Sequence, residues 1–273
     1  MLLAVDIGNT NIVIGVYNNK ELVFSGRFYT NDKKTKDEIS IDIHSFLFIN
    51  GCCLNDISGA IVSSVVPKLT RPVCSAIKAL IGTNALVIGP GIKTGLDIKI
   101  DNPSQLGADM VCVSVCAIAK YPVPSIVVDL GTATKISTID KNGHMIGGAI
   151  MAGVMVSLEA LGQKAALLQQ ISLDNPVELI GTNTIDSMKS GAILGTASMI
   201  DGMIKRYRAK LGENLTVIAT GGLCDDIIPH CEEEISIASL LGAQRCCFVS
   251  VICISFATER DIILFELIML AAE

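Results

Sequence analysis

The chain has 273 residues and a formal net charge of −6, from 21 lysines and arginines against 27 aspartates and glutamates. That acidity gives it no general attraction for nucleic acid or anionic membrane. Half of the residues are hydrophobic and 18% are charged, with a mean hydropathy of +0.55, which excludes intrinsic disorder. No stretch before residue 240 has the roughly 18 uncharged apolar residues that a membrane span requires. Asp6 interrupts the first apolar run and no basic segment precedes it, which argues against a secretory signal. The expectation is a soluble, cytoplasmic, core-rich protein of one large or two modest domains.

In chain order, Leu2–Val5, Ile12–Val16 and Leu22–Phe28 read as strands, joined by turns at Gly8-Asn9-Thr10 and Asn18-Asn19-Lys20. Asp37 to Phe48 reads as a helix, with Ile39, Ile43, Phe46 and Leu47 near helical spacing. Ala60–Val66 is a buried strand closed by Pro67, followed by a helix near Val73–Leu80 and a short strand Ala85–Ile88. A helix around Ala108–Ala119 leads to the breaker Tyr121-Pro122-Val123-Pro124. Strands then follow at Ser125–Asp129, Ile136–Asp140 and Met145–Ile150, and Thr216–Leu223 is a short strand opening into paired glycines. This order is mixed α/β architecture.

The second half begins as the first does. Val5 to Asn19 (VDIGNTNIVIGVYNN) and Val128 to Asn142 (VDLGTATKISTIDKN) share one layout at a constant spacing of 123 residues, the separation of Asp6 and Asp129. A spacing that long is not a solenoid repeat. It fits two related halves with a boundary near Tyr121–Pro124. Each copy has an aspartate at a strand end, then glycine, then hydroxyl or amide side chains. Glycine lets backbone N–H groups approach an anion, and Asn9, Thr10, Thr132 and Thr134 add donors. An aspartate there can hold a cation that in turn binds phosphate. No GxxxxGK[ST] or GxGxxG motif occurs.

The ten cysteines include adjacent pairs at Cys52-Cys53 and Cys246-Cys247 and no CxxC motif, so they read as buried thiols and not as a disulfide framework or zinc site. His44, His144 and His230 are scattered and read as surface or packing residues.

Asp-x-Gly-x-Thr, Asp-x-Gly-Thr-Ala-Thr and Thr-Gly-Gly, in that order, resemble the phosphate-1, phosphate-2 and adenosine motifs of the acetate kinase, sugar kinase, Hsc70 and actin superfamily. The chain is most similar to type III pantothenate kinases. It resembles them in PGIKTGL (Pro90 to Leu96), DNPSQLGAD (Asp101 to Asp109), VVDLGTAT (Val127 to Thr134), GTNT followed by Ser190-Gly191 (from Gly181) and IATGGL (Ile218 to Leu223). The implied fold is α/β, with two ribonuclease H-like domains of the actin/sugar-kinase type and a nucleotide cleft between them. Residues 1–121 would carry the phosphate-1 loop, and residues 122–273 the phosphate-2 and adenosine motifs. The implied activity is ATP-dependent phosphorylation of pantothenate to 4′-phosphopantothenate, the first step of coenzyme A biosynthesis, by a cytoplasmic homodimer.

By position, the resemblance places ATP along Asp6, Ile7, Gly8, Asn9, Thr10, Asn11, Ile12 and Val13, with Thr132 at the second phosphate loop and Gly221 and Gly222 near the adenosine. Magnesium would accompany ATP near Asp6. Asp129 would hold a monovalent cation, potassium or ammonium. Pantothenate would meet Gly107, Ala108, Asp109, Met110 and Thr184, with Asp109 as general base. A carboxylate suits that role, because phosphoryl transfer needs a group to orient the attacking hydroxyl and accept its proton.

Three features depart from the family pattern. Met110 stands where the family usually has arginine, and so removes a bidentate cation beside the substrate. Lys135 stands where threonine is usual; of two readings, solvent-facing on an alternating strand or reaching toward the active site, the first is favoured. The tail 238–273 does not resemble the family's closing segment. It reads as a frameshifted or replaced C-terminus, the alternative being a membrane-associated or partner-binding hairpin. A second functional reading, of another class, is a catalytically impaired nucleotide-binding regulatory paralogue.

Overall fold

In the computed structural model, residues 1–18, 21–165, 171–173 and 177–238 are described. The reading of the tail from residue 239 onward, with three of the ten cysteines, lies outside them. The chain divides into two compact units, the first Met1–Lys120 and the second opening at Tyr121.

The first unit begins with β1 (Leu2–Ile7), β2 (Asn11–Asn18) and β3 (Glu21–Tyr29), an antiparallel meander. Then α1 (Lys36–Ile49) starts at Thr35, whose hydroxyl accepts the Glu38 N–H while the Glu38 carboxylate accepts the Thr35 N–H. This reciprocal cap satisfies two of the donors a helix start leaves open. Ile39, Ile43 and Leu47, four residues apart, form its buried stripe. Strand β4 (Gly59–Ser64) pairs parallel to β1, helix α2 (Pro67–Ile81) follows, and β5 (Leu86–Val87) adds to β4. Helix α2 begins six residues before the predicted start. Pro67 occupies its first turn, where the missing N–H costs nothing, and the buried Leu69 holds that turn onto the sheet despite Pro72. Helix α3 (Ala108–Lys120) closes the unit.

The sheet order is β3-β2-β1-β4-β5. Alternation along β1 sends Leu3, Val5 and Ile7 into a core with α1 and α2, and Ala4 into a second core with Val111, Cys112 and Val115 of α3. The result is a three-layer α/β/α unit.

In the second unit, β6 (Ser125–Leu130), β7 (Ala133–Ile139) and β8 (Met145–Ala152) repeat the meander, and β9 (Thr216–Thr220) pairs parallel to β6. Helices α4 (Val154–Lys164) and α5 (Thr184–Leu211) lie between β8 and β9, and α6 (Cys224–Ile227) and β10 (Ser236–Ile237) complete it. The order β8-β7-β6-β9-β10 is that of the first sheet, strand for strand.

The repeat inferred from sequence is therefore a repeat of topology, with one correction. Ile7 pairs with Ile12, whereas Leu130 pairs with Thr134, so the second turn is one residue shorter. The constant spacing holds for the first strand of each hairpin and slips by one in the second. Lys135 is thus the counterpart of Val13 and not of Ile12: Asp6 pairs with Val13, and Asp129 pairs with Lys135.

Helices α4 and α5 are absent from the sequence reading. Gly191, Gly195 and Gly202 each weaken α5 by roughly 1 kcal/mol relative to alanine, which masks its 28-residue length. Burial of Met188, Ile193, Ala197, Ile200 and Ile204 in the second core outweighs that cost.

Candidate active site

The phosphate-1 turn sits at the carboxyl end of β1. Gly8 N–H donates to Asn11 O at 3.0 Å, and an added Cβ on Gly8 would lie 3.0 Å from the same oxygen. Thr30 clamps the turn, its hydroxyl donating to Gly8 O at 2.7 Å and its N–H to Thr10 O at 2.9 Å. The Gly8 N–H is therefore engaged in closing the turn. The exposed groups are Asn9 and Thr10 at the apex, while Ile7 and Ile12 are buried and Asn11 and Val13 half-buried.

Asp6 is half-buried, in register with Ser63 of β4. By alternation it shares the sheet face of Ala4, which packs on α3. At that end of the sheet Val65 N–H donates to Ile7 O at 3.0 Å, and a Cβ built on Gly107 would lie 3.9 Å from Val65 Cγ1 and 2.5 Å from Asp109 Oδ1. Asp109, in the first turn of α3, accepts the Met110 N–H at 2.8 Å, and a carboxylate there interacts favourably with the helix N-terminus. The preceding turn is shaped by Asn102, which accepts from Ser104 N–H at 3.2 Å. Ala108 and Met110 are buried, at 8% and 9% exposure. Asp6 and Asp109 thus occupy one face and one end of the first sheet.

In the second unit the residues predicted from distant motifs converge on the end of β6. Asp129 is in register with Lys135 on one side and Thr220 on the other. Gly221 has φ +114, and an added Cβ would fall 2.4 to 2.6 Å from the backbone of Leu130. Leu223 N–H donates to Leu130 O at 3.3 Å. The Thr-Gly-Gly run is therefore pressed against the phosphate-2 strand, with Gly222 and Thr132 exposed beside it. Thr134, expected as an anion donor, is 1% exposed on the core face with Leu130 and Ile136, and its hydroxyl has no hydrogen-bond partner.

Lys135 does not point to solvent. Its ammonium lies 3.5 Å from Asp129 Oδ2, and the two side chains are only 18% and 8% exposed. Alternation predicts exposure when one face of a strand is open to water, but β7 is an interior strand buried along most of its length.

Gly153, the N-cap of α4, also belongs to this cluster, and no motif named above includes it. A Cβ there would lie 2.1 Å from Thr132 O, so only glycine lets this helix start abut the phosphate-2 turn. The lone glycine after an apolar strand was the available signal.

Thr184 opens α5 and is exposed. It lines a cavity of about 820 Å³ with Ser157, Asn183, Ser187 and Gly191. The surrounding GTNT motif is partly structural. Asn183 caps α5 through the Asp186 N–H at 3.0 Å, Ser190 donates to Leu179 O at 2.7 Å, and a Cβ on Gly181 would meet Ser187 N at 2.2 Å. The PGIKTGL segment lines a separate cavity of about 660 Å³ in the first unit, with Ala108 and Val111 of α3.

The histidines stay outside these clusters: His44 stacks on Phe48, and His144 bonds Asp140 through Nδ1 at 3.1 Å. No disulfide joins the described cysteines, and no group of three or more His, Cys, Asp or Glu side chains among the described residues is arranged to hold a metal. Among those residues no helix is long and apolar enough to cross a membrane.

Known proteins bear on this arrangement. Among solved structures, the component A of the (R)-2-hydroxyglutaryl-CoA dehydratase from Acidaminococcus fermentans is 15% identical. It matches with a TM-score of 0.53 over 94% of this chain and 99% of its own. The activator of the 2-hydroxyisocaproyl-CoA dehydratase from Clostridium difficile, solved with bound ADPNP, is 14% identical and matches with a TM-score of 0.51 over 96% and 98%. At those identities the likeness establishes the fold alone, the α/β fold of the actin and sugar-kinase type.

In sequence, the type III pantothenate kinase of Halalkalibacterium halodurans is 44% identical over 223 residues, covering 82% of this chain and 88% of its own. That of an Exiguobacterium species is 42% identical over 244 residues, covering 89% and 96%. The family profile described as type III pantothenate kinase matches residues 2–206. With its repeated strand–turn–strand units and its clustered motif residues, this chain belongs to the type III pantothenate kinase family.

Proposed function

We propose that this chain transfers the γ-phosphoryl group of ATP to the primary hydroxyl of pantothenate, giving 4′-phosphopantothenate and ADP and opening coenzyme A biosynthesis. The family match over residues 2–206 carries the reading. The clustering of Asp129, Thr132, Gly221 and Gly222 at one strand end supports it.

Asp6 to Val13 contribute one phosphate-facing turn, with Asn9 and Thr10 as donors at its apex, and Thr132 the other. Gly221 and Gly222 leave a flat backbone surface for adenosine. Gly107, Ala108, Asp109 and Met110 meet pantothenate from the start of α3, and Thr184 from the start of α5. Asp109 accepts the proton of the attacking hydroxyl as the bond from that oxygen to phosphorus forms and the bond from phosphorus to the bridging oxygen of ADP breaks. Its hydrogen bond from Met110 N–H orients the carboxylate for that transfer.

Magnesium typically takes one or two carboxylates and completes its shell with phosphates and water. The single half-buried Asp6 fits that demand. A magnesium ion held there would neutralise phosphate charge. The monovalent cation implied at Asp129 does not fit, because Lys135 already places a positive charge beside that carboxylate.

A homodimer is supported by apolar side chains left exposed on the second unit, including Ile150 at 70%, Leu179 at 74% and Ile180 at 81%. Buried thiols such as Cys112 and Cys224 suit a reducing cytoplasm.

A coupled assay for ADP release with pantothenate, ATP and magnesium tests the activity. Asp109→Asn is expected to lower pantothenate-dependent turnover by at least 10²-fold while ATP affinity changes less than two-fold. Retained turnover would remove Asp109 from the chemistry.

A further inference from the structure

We infer that the Lys135 ammonium takes the place of the monovalent cation at Asp129, so that phosphoryl transfer by this chain needs no added potassium or ammonium. The inference rests on the kinase reading above and concerns how that site is charged.

Three observations carry it. The first is contact: Lys135 Nζ is 3.5 Å from Asp129 Oδ2, within ion-pair distance, with both side chains largely out of water. The second is register. Asp129 and Lys135 are direct cross-strand partners in β6 and β7, because the second hairpin is one residue shorter than the first. The geometry is thus set by the sheet and not by the chance rotamer of a loop lysine. The third is the neighbourhood. Thr220 flanks Asp129 from β9, and an ideal Cβ on Gly131 lies 3.7 Å from Asp129 Oδ1, so the pair sits directly beneath the phosphate-2 turn.

A unit positive charge there performs the electrostatic task of a bound monovalent ion, because what matters at such a site is the charge near the phosphates. The tethered ammonium also needs no recruitment from solution, since its translational freedom is already lost on folding. A second monovalent cation on the same carboxylate, about 4 Å from the ammonium, would be repelled. At an effective dielectric near 20 its binding would weaken on the order of a thousand-fold.

The test uses the full chain and its Lys135→Thr variant, with Lys135→Met as a second replacement of similar length. Each is assayed in tetramethylammonium chloride against equal potassium or ammonium chloride at constant ionic strength. Two readouts are taken: pantothenate-dependent ADP release, and ATP affinity by calorimetry with magnesium present.

For the unmodified chain, potassium and ammonium are expected to change both readouts less than two-fold. Lys135→Thr is expected to lose at least ten-fold in tetramethylammonium and to recover most of it with potassium or ammonium. Lys135→Met is expected to lose as much and to recover less. Activation of the unmodified chain by potassium more than five-fold would overturn the inference. So would a Lys135→Thr variant whose ATP affinity and turnover match the unmodified chain in tetramethylammonium. If no salt supports ADP release, the kinase reading is what fails, and the potassium response of ATP affinity in the two chains still decides the role of Lys135.

Discussion

Gly221 offers the sharpest test of how the adenosine motif is built. Its φ of +114 lies in a region side-chain-bearing residues rarely adopt, and a methyl group there would overlap the N, C and O atoms of Leu130 at 2.4 to 2.6 Å. Neither obstacle can be relieved by rotating a side chain, because the neighbour is the backbone of a central strand. Strain at such a conformation costs about 1–3 kcal/mol, and displacing packed backbone adds a similar amount. Gly221→Ala is therefore expected to lose about 3–5 kcal/mol of stability, a fall of roughly 10 °C in Tm for a chain of this size.

Gly222, one residue on, is the internal control. Its φ is not in the positive region, an added Cβ meets nothing within 4 Å, and the residue is exposed. Gly222→Ala is expected to unfold within about 0.5 kcal/mol of the unmodified chain and to weaken ATP binding about ten-fold, because the methyl would stand where the proposed function puts adenosine. Urea melts and ATP calorimetry on both variants decide the matter. A Gly221→Ala protein as stable as the parent would refute the argument from backbone contact. A Gly222→Ala protein with unchanged ATP affinity would move the adenosine elsewhere.

Two further predictions concern titrating groups. Burial would raise the Asp140 carboxyl, but hydrogen bonds from the His144 and Asn142 N–H groups and the His144 ring hold it below its ordinary value. Its contribution is thus present above the unfolded value near pH 4 and is lost as pH falls through the folded one. Asp140→Asn should lower stability by about 1 kcal/mol at pH 7, with the gap to the parent narrowing in urea melts toward pH 3; a gap that widens in acid contradicts this. The Cys231 thiol is pushed up to about 12, by burial first and by Asp201 second. At pH 8 its thiolate fraction is on the order of 10⁻⁴, so peptide mapping after iodoacetamide should find exposed Cys53 alkylated and Cys231 intact. Equal labelling of the two in the folded chain would contradict the burial argument.

Much of this protein is determined by sequence alone. The apolar runs of β1, β2, β6 and β7 and the turns between them are local patterns, and so is the Asp-x-Gly repeat that marks two related units. The motif residues belong with them, because a strand end followed by glycine is readable without knowing its neighbours.

What only tertiary structure decided lies between strands. The slip of one residue in the second hairpin cannot be seen along the chain, since side-by-side alignment counts residues and not hydrogen-bonded pairs. It puts Lys135 across from Asp129 and changes a solvent lysine into the partner of a buried carboxylate. Gly153 and Gly221 likewise owe their necessity to backbones distant in sequence, Thr132 and Leu130, that approach too closely for a Cβ. Helix α5 forms against its own glycines because the core behind it outweighs local propensity. Strands and turns follow from short-range sterics and hydropathy, whereas the charge beside Asp129 follows from register, which the folded sheet alone sets.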